Sequence, residues 1–360
     1  MSSEAEISSS EDAVALAGAC PVPVGYEHIV LGHGSGGRMT ADLIGDVFLP
    51  AFTNDVLRAL EDQATVDLPG GSRIAFTTDA FVVRPIFFPG GDIGRLAVHG
   101  TVNDLAVGGA EPRFLAAAFI LEEGLALTDL RRVVDSMRRA CREAGVVLVT
   151  GDTKVVDRGK GDQIFITTTG IGLVPSGRAL SIGAARPGDR IIVSGTLGDH
   201  GMAIMAAREG FDFEPQLTSD TAPLTGLARA VLETAPTTRC MRDPTRGGLA
   251  SALNELATAS RVGVRLDERA IPVRADVRSA CELLGLDPMY VASEGRLVAV
   301  VAAADAERVV AAMHAHPLGR DAVIVGDVVS EHPTLVTVRS LIGGERVVTM
   351  LAGEQLPRIC

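Results

Sequence analysis

Apolar and polar positions follow two rhythms along this chain. In the first half, IAFTTDAFVV, GVVLVTGDTKVV and DQIFITTTGIGLV have the length and β-branched content of strands. LTDLRRVVDSMRRACREAG keeps a different period. Leu130, Val133, Val134, Met137 and Cys141 recur at spacings of three and four, which predicts a helix capped by Thr128 and stopped by Gly145. In the second half, RIIVSG reads as a strand, and GMAIMAAREG and GGLASALNELATAS as helices. EGRLVAVVAA, DAERVVAAMHAH and AVIVGDVV then make a strand–helix–strand run, which predicts an α/β unit. The Gly-, Pro- and Ser-rich VPSGRALSIGAARPGDR, at 174–190, marks the connection between the halves. The expected division is an acidic arm over 1–27, domains over 28–175 and 176–345, and a tail over 346–360 that begins as a strand.

Composition narrows the function. A chain of 360 residues exceeds what one core usually organises, so two domains are expected. The formal net charge of −12 and the absence of tryptophan disfavour nucleic acid as a partner. No apolar run approaches the roughly 20 residues that span a bilayer. The first residues, MSSEAEISSSEDAV, are acidic where a signal peptide is basic. Five widely spaced cysteines, with no CxxC pair, predict a reducing cytoplasm and neither a disulfide framework nor a zinc site. One of them, Cys360, is the last residue. The seven residues after Gly353 reach roughly 23 Å when extended, enough to carry that thiol into a pocket on its own chain or to another protein.

Three constellations carry chemistry. GHGSGGR, Gly32 to Arg38, precedes the expected helix MTADLIGDVF. Its successive N–H groups form either an anion cradle or a simple turn. Asp79, Asp104 beside Asn103, and Asp152 beside Lys154 each end or adjoin an apolar segment. Singly each suits a turn or cap, but together they predict a metal–phosphate site. RDPTRGGLASALNELA offers Arg246 at a helix mouth as an anion site, or Asp243 as an ordinary N-cap. His200 in GTLGDHG reads as a hydrogen-bonded loop residue, and Glu294 in SEGRLVAV as an exposed turn residue.

From Ile29 to Cys360 the chain resembles the HypE family of hydrogenase maturation factors, a branch of the PurM-like ATP-binding superfamily. HGSGGR, TTDAFVVRPIFFPGGDIGRLAVHGTVNDLAVGGA, AGVVLVTGDTKVVDRGKGD, SGTLGDHG, RDPTRGGLA and the terminal LPRIC carry the resemblance. It implies a two-domain α/β (α+β) fold, with a barrel-forming sheet in the first domain through which two copies pair. It further implies that Cys360 receives a carbamoyl group from a HypF-type carbamoyltransferase. ATP then dehydrates that group to a thiocyanate, whose cyano group passes to iron on a HypC–HypD complex. Implied catalytic residues are Cys360, Lys154 and Glu294, with Lys154 near Glu294 once the tail folds inward. Implied ATP-binding residues are His33, Gly34, Ser35, Gly36, Gly37, Asp79, Asn103, Asp104, Gly151, Asp152, Thr153, Lys154, Asp243, Arg246 and Gly247. Asp79, Asp104 and Asp152 are the implied Mg²⁺ ligands. The chain departs from the family at His99, commonly Cys, and Ser293, commonly Asn.

Overall fold

A computed structural model describes residues 26–52, 54–353, 356 and 358–360. Most of the acidic arm, with Cys20, lies outside them. The first half builds β1 (Ala64–Asp67), β2 (Arg73–Phe81), the short hairpin of β3 (Phe87–Phe88) and β4 (Gly91–Asp92), β5 (Glu111–Glu122), β6 (Val147–Val156) and β7 (Ile164–Leu173). Five of these form one sheet in the order β1-β2-β7-β5-β6, with only the β5–β6 pair parallel. Alternation sends Ala75, Thr77, Phe81, Leu115, Ala117, Ile164 and Ile166 to one face, where they are buried. The helices Ile93–Val107 and Leu127–Ala144 cover that face through Leu96, Val98, Val102, Val133 and Met137. The other face keeps Phe76, Phe114, Ile120, Ile171 and Leu173 each more than 40% exposed.

The predicted Leu127–Ala144 helix forms, and Gly145 closes it at φ 72°, in the left-handed region that glycine enters without strain. Its N-cap is Ala126, so Thr128 falls inside the first turn.

The second half builds β8 (Arg190–Val193), β9 (Cys240–Arg242), β10 (Gly263–Asp267), β11 (Val298–Val301), β12 (Val323–Val329), β13 (Val336–Arg339) and β14 (Glu345–Val348). They form one sheet in the order β14-β13-β10-β12-β8-β11-β9. Ile191, Val193, Val298 and Val300 pack toward the helix Gly248–Ser260. Ile192, Ala299 and Val301 face the helices Thr225–Thr234 and Ala303–His314. Both faces are covered, which is why these strands read as unbroken apolar runs. The expected strand–helix–strand run is β11, Ala303–His314 and β12, but β8 lies between the two strands and pairs antiparallel with each. Strand β14 is held by β13 and its Val348 is buried, so the free tail starts after Val348 and not at 346.

Candidate active site

A helix, a strand and the loop before β1 from the first half meet one loop of the second around a set of carboxylates. Asp104, on Ile93–Val107, accepts from Thr77 Oγ1 of β2 at 2.8 Å. Asp62, just before β1, pairs with Arg242 Nη1 at 2.8 Å, and Asp243 follows Arg242 in the chain. Oxygen atoms of Asp62, Asp104 and Asp243 lie within 4.8 Å of one another. Asp79 accepts from Thr101 Oγ1 at 3.0 Å beside them. Burial raises the pKa of all four. Neighbouring carboxylates raise those of Asp62, Asp104 and Asp243 further, and Asp243 is pushed up to about 6. Buried carboxylates that destabilise one another's charge are an oxygen-rich donor set, and a hard divalent cation resolves the repulsion.

The C-terminus folds into the chain next to this set. Val82 N–H donates to Cys360 O at 3.2 Å and Arg84 N–H to Arg358 O at 3.1 Å, so the last residues run beside the segment following β2. Ile359 is buried, and Cys360 packs at the edge of the same core as Phe81 and Ile166. The Cys360 thiol meets Glu294 and the Arg246 guanidinium. Burial first, and then the Glu294 and Asp79 carboxyls, push its pKa up to about 12 against the pull of Arg246. Glu294 is 2% exposed, its Oε1 has no hydrogen-bond partner, and burial raises its pKa well above the usual carboxyl range. It is no exposed turn residue. A cavity of about 310 Å³ opens over this group, lined by Ser35, Ala80, Arg246, Gly247, Tyr290 and Cys360 among others.

The glycine loop closes the cavity from one side. Arg246 Nη1 donates to Gly34 O at 2.9 Å, and Arg38 N–H donates to Leu351 O at 2.8 Å. A Cβ on Gly37 would sit 2.2 Å from Leu351 O, and one on Gly36, at φ 71°, 2.7 Å from Arg246 Cβ. Both positions therefore demand glycine for close backbone approach. His33 is turned away, its Nδ1 against the Val30 backbone. The helix after Arg246 begins at Gly248 with Gly247 as N-cap, so Asp243 is freed from capping and joins the carboxylate set.

Some expected partners are not brought together in one chain. Asp152 lies on β6 opposite Ala118, which stands opposite Thr167, which stands opposite Ala80. It therefore shares the outward face with Ala80, while Asp79 points inward. Three strand spacings of about 4.8 Å separate β2 from β6, roughly 14 Å. Asp152 thus does not reach Asp79 and Asp104 within this chain, and the carboxylates gathered at Asp104 are instead Asp62 and Asp243. Lys154, on the same outward face, pairs with Asp152 at 3.2 Å and is far from Glu294 despite the inward tail. Gly151 and Thr153 share that exposed edge strand. Asn103 is fully buried: Nδ2 donates to Ala222 O and Glu294 O, and Oδ1 accepts from Leu224 N–H. It holds the Glu294 turn, and its amide is spent on backbone, not on a nucleotide. Asp62 escaped the sequence reading because the others end or adjoin apolar segments, whereas Asp62 stands two residues before the short β1, whose ATVD carries little apolar signal. His99 is buried and neutral, its pKa lowered to about 3 by burial, with Nδ1 against Thr221 Oγ1 at 3.2 Å.

Residues 60–174 match the family described as AIR synthase related protein, N-terminal domain, and 186–338 the corresponding C-terminal domain. The chain is 56% identical over 340 residues to the carbamoyl dehydratase HypE of Cupriavidus necator, covering 94% of this chain and 97% of that one. Identity to the protein of the same name from Escherichia coli K12 is 47%, over 92% and 99% of the two chains. A solved HypE–HypF complex superposes with a TM-score of 0.81 at 48% identity, covering 86% of this chain and 99% of that chain. A HypE structure in complex with ATP gives 0.78 at 48% identity, over 92% and 100%. A thiamine monophosphate kinase from Aquifex aeolicus, 20% identical at a TM-score of 0.60 over 81% and 95%, shares the fold. With both domains matched and close relatives aligned along nearly their whole length, the chain belongs to the HypE family of carbamoyl dehydratases.

Proposed function

We propose that this protein dehydrates an S-carbamoyl group on its own Cys360 to a thiocyanate at the expense of ATP, supplying the cyano ligand for [NiFe]-hydrogenase maturation. The observation that carries the reading is the inward C-terminus, which sets the Cys360 sulfur against Glu294 and Arg246 beside a cluster of buried carboxylates. The carboxamide oxygen attacks the γ-phosphorus of ATP, an O–P bond forms, and ADP leaves. The nitrogen then gives up two protons, the C–O bond breaks, and phosphate departs with the oxygen, leaving S–C≡N. Amide oxygen leaves poorly, and phosphorylation makes it a good leaving group. Arg246 favours negative charge developing on that oxygen. Glu294, with its raised pKa, is the stronger base toward a nitrogen proton once ionised. Docking turns Cys360 from a tethered group into a positioned one.

Asp62, Asp104 and Asp243 would hold Mg²⁺, which when bound supplies charge neutralisation for phosphates. The Ser35–Gly37 and Arg246–Gly247 backbones would line the phosphate path. Lys154 and Asp152 enter through a second copy. The outward sheet face carries Phe76, Phe114, Ile120 and Ile171 unburied, an apolar surface too continuous to leave in water. A homodimer built on that face would bring the β6 edge of one copy over the Ala80 side of the other, and Lys154 to the phosphoryl group. A HypF-type carbamoyltransferase as carbamoyl donor, a HypC–HypD complex as acceptor and a cytoplasmic setting complete the reading. Supporting the last, Cys141, Cys240, Cys281 and Cys360 are all free thiols. No helix among the described residues is long and apolar enough to cross a membrane.

Mass spectrometry of the C-terminal peptide tests the reading. After incubation with the carbamoyltransferase, carbamoyl phosphate and ATP, Cys360 should carry a carbamoyl group that loses one water. With a non-hydrolysable ATP analogue the carbamoyl adduct should persist. Product formation by a variant lacking Cys360 would overturn it.

A further inference from the structure

We infer that His200 is a positioning residue, a latch that holds the C-terminal tail in its inward pose by gripping the Ile359 carbonyl. His200 opens the helix Asp199–Glu209 and is fully buried. Its Nε2 lies 2.7 Å from Ile359 O and its Nδ1 2.8 Å from Ser219 Oγ. A carbonyl only accepts, so Nε2 carries the hydrogen. In the neutral ring, which burial favours, Nδ1 then accepts from the Ser219 hydroxyl. Ser219 Oγ in turn accepts from Thr221 N–H at 3.2 Å. The tautomer is therefore fixed by a chain of bonds running from the loop to the tail. The Phe88 ring meets the imidazole edge-on, with centroids 5.6 Å apart, and limits its rotation.

A second grip lies next to the first. Arg208, two helical turns on, donates Nη2–H to Arg358 O at 2.6 Å and to Arg84 O at 2.9 Å, tying the tail to the segment after β2 that it lies along. Both grips take main-chain carbonyls. Neither reads the thiol, so the same latch accepts Cys360 whether free or carbamoylated. That is what a tail needs if it is modified by another protein and then returns to its own site. Fixing the Ile359 carbonyl also fixes the plane of the last peptide bond, from which the Cys360 side chain departs.

The inference rests on Cys360 being the reacting thiol, but its test reads docking directly. The full-length protein is exposed to iodoacetamide, and alkylation of Cys360 is followed in the C-terminal peptide. Single-turnover dehydration is followed in parallel on protein carbamoylated beforehand. His200→Ala should speed Cys360 alkylation up to about tenfold, the rise in undocked population expected from one lost hydrogen bond, and slow dehydration only as far as the docked population falls. His200→Gln keeps an N–H donor and should restore both rates toward wild type. Arg208→Ala, at the surface, should move both in the direction of His200→Ala even if the latter fails to fold. Alkylation at the wild-type rate in the folded Ala variants would overturn the latch, as would a Gln variant no better than Ala. Normal protection of Cys360 with no dehydration in wild-type protein would instead strike the proposed function and leave the latch standing.

Discussion

Asp79 and Asp152 look alike in the sequence, in TTDA and TGDT, each ending an apolar run beside small polar residues. In the fold they are opposites. Asp79 points inward from β2 beside other carboxylates, and burial raises its pKa. Asp152 points outward from β6, 67% exposed, and its pKa is lowered by the Thr153 N–H and by Lys154. One side chain lies among buried carboxylates, and the other stands on the exposed face of the sheet. The difference comes from strand parity and from the helices, which cover one face of the sheet only. It teaches that a motif in this fold names a residue without saying which face of the sheet it stands on.

Breaking the inward cluster should have the largest effect. Asp104→Asn keeps an acceptor for Thr77 yet removes a cation ligand, so ATP-dependent dehydration should fall by about 10²-fold or more. In chelator the same variant should melt above wild type, because it relieves repulsion among buried carboxyls. A lower Tm in chelator would count against a strained, cation-seeking cluster. Breaking the outward face comes next. Phe114→Glu should convert a dimer to a monomer in light scattering and abolish dehydration, and a dimer of normal mass would show that this face is not the interface.

The comparison can be sharpened by mixing Lys154→Ala with Glu294→Gln, each inactive alone. If Lys154 acts across the interface, half the dimers are mixed and each rebuilds one of its two sites, so about a quarter of wild-type activity should return. No recovery after subunit exchange would place Lys154 in its own chain's site.

A smaller effect is expected from pH. Folded Asp243 holds its proton up to about pH 6, whereas the unfolded chain releases it near 3.8. The folded state therefore binds more protons in that window, and stability in chelator should fall as pH rises through it. Adding Mg²⁺ at pH 7 should restore the loss, and a Tm unchanged by both pH and cation would remove the support for the cluster as a metal site. The smallest change belongs to Asp152→Asn, which should leave the Tm where it is while lowering activity. A clear loss of Tm would mean that Asp152 supports the fold itself.

The strands, the long Leu127–Ala144 helix and the two-domain division were legible because their signals are local. Period-two alternation, 3–4 spacing and a glycine stop need only neighbours along the chain. The blocks that carry the family resemblance, and the terminal cysteine that belongs to its chemistry, are also visible in one dimension. What had to wait for the tertiary structure was the company each residue keeps. Asp62 and Asp243, 181 positions apart in number, meet Asp104 only because two domains close on one another. Asn103 looked like a ligand residue and proved to be a backbone clamp. His200, read as a loop histidine, grips the tail 159 residues away. Sequence settles which elements form because their free energy is local, whereas site membership depends on face, burial and long-range contact, which only the folded chain decides.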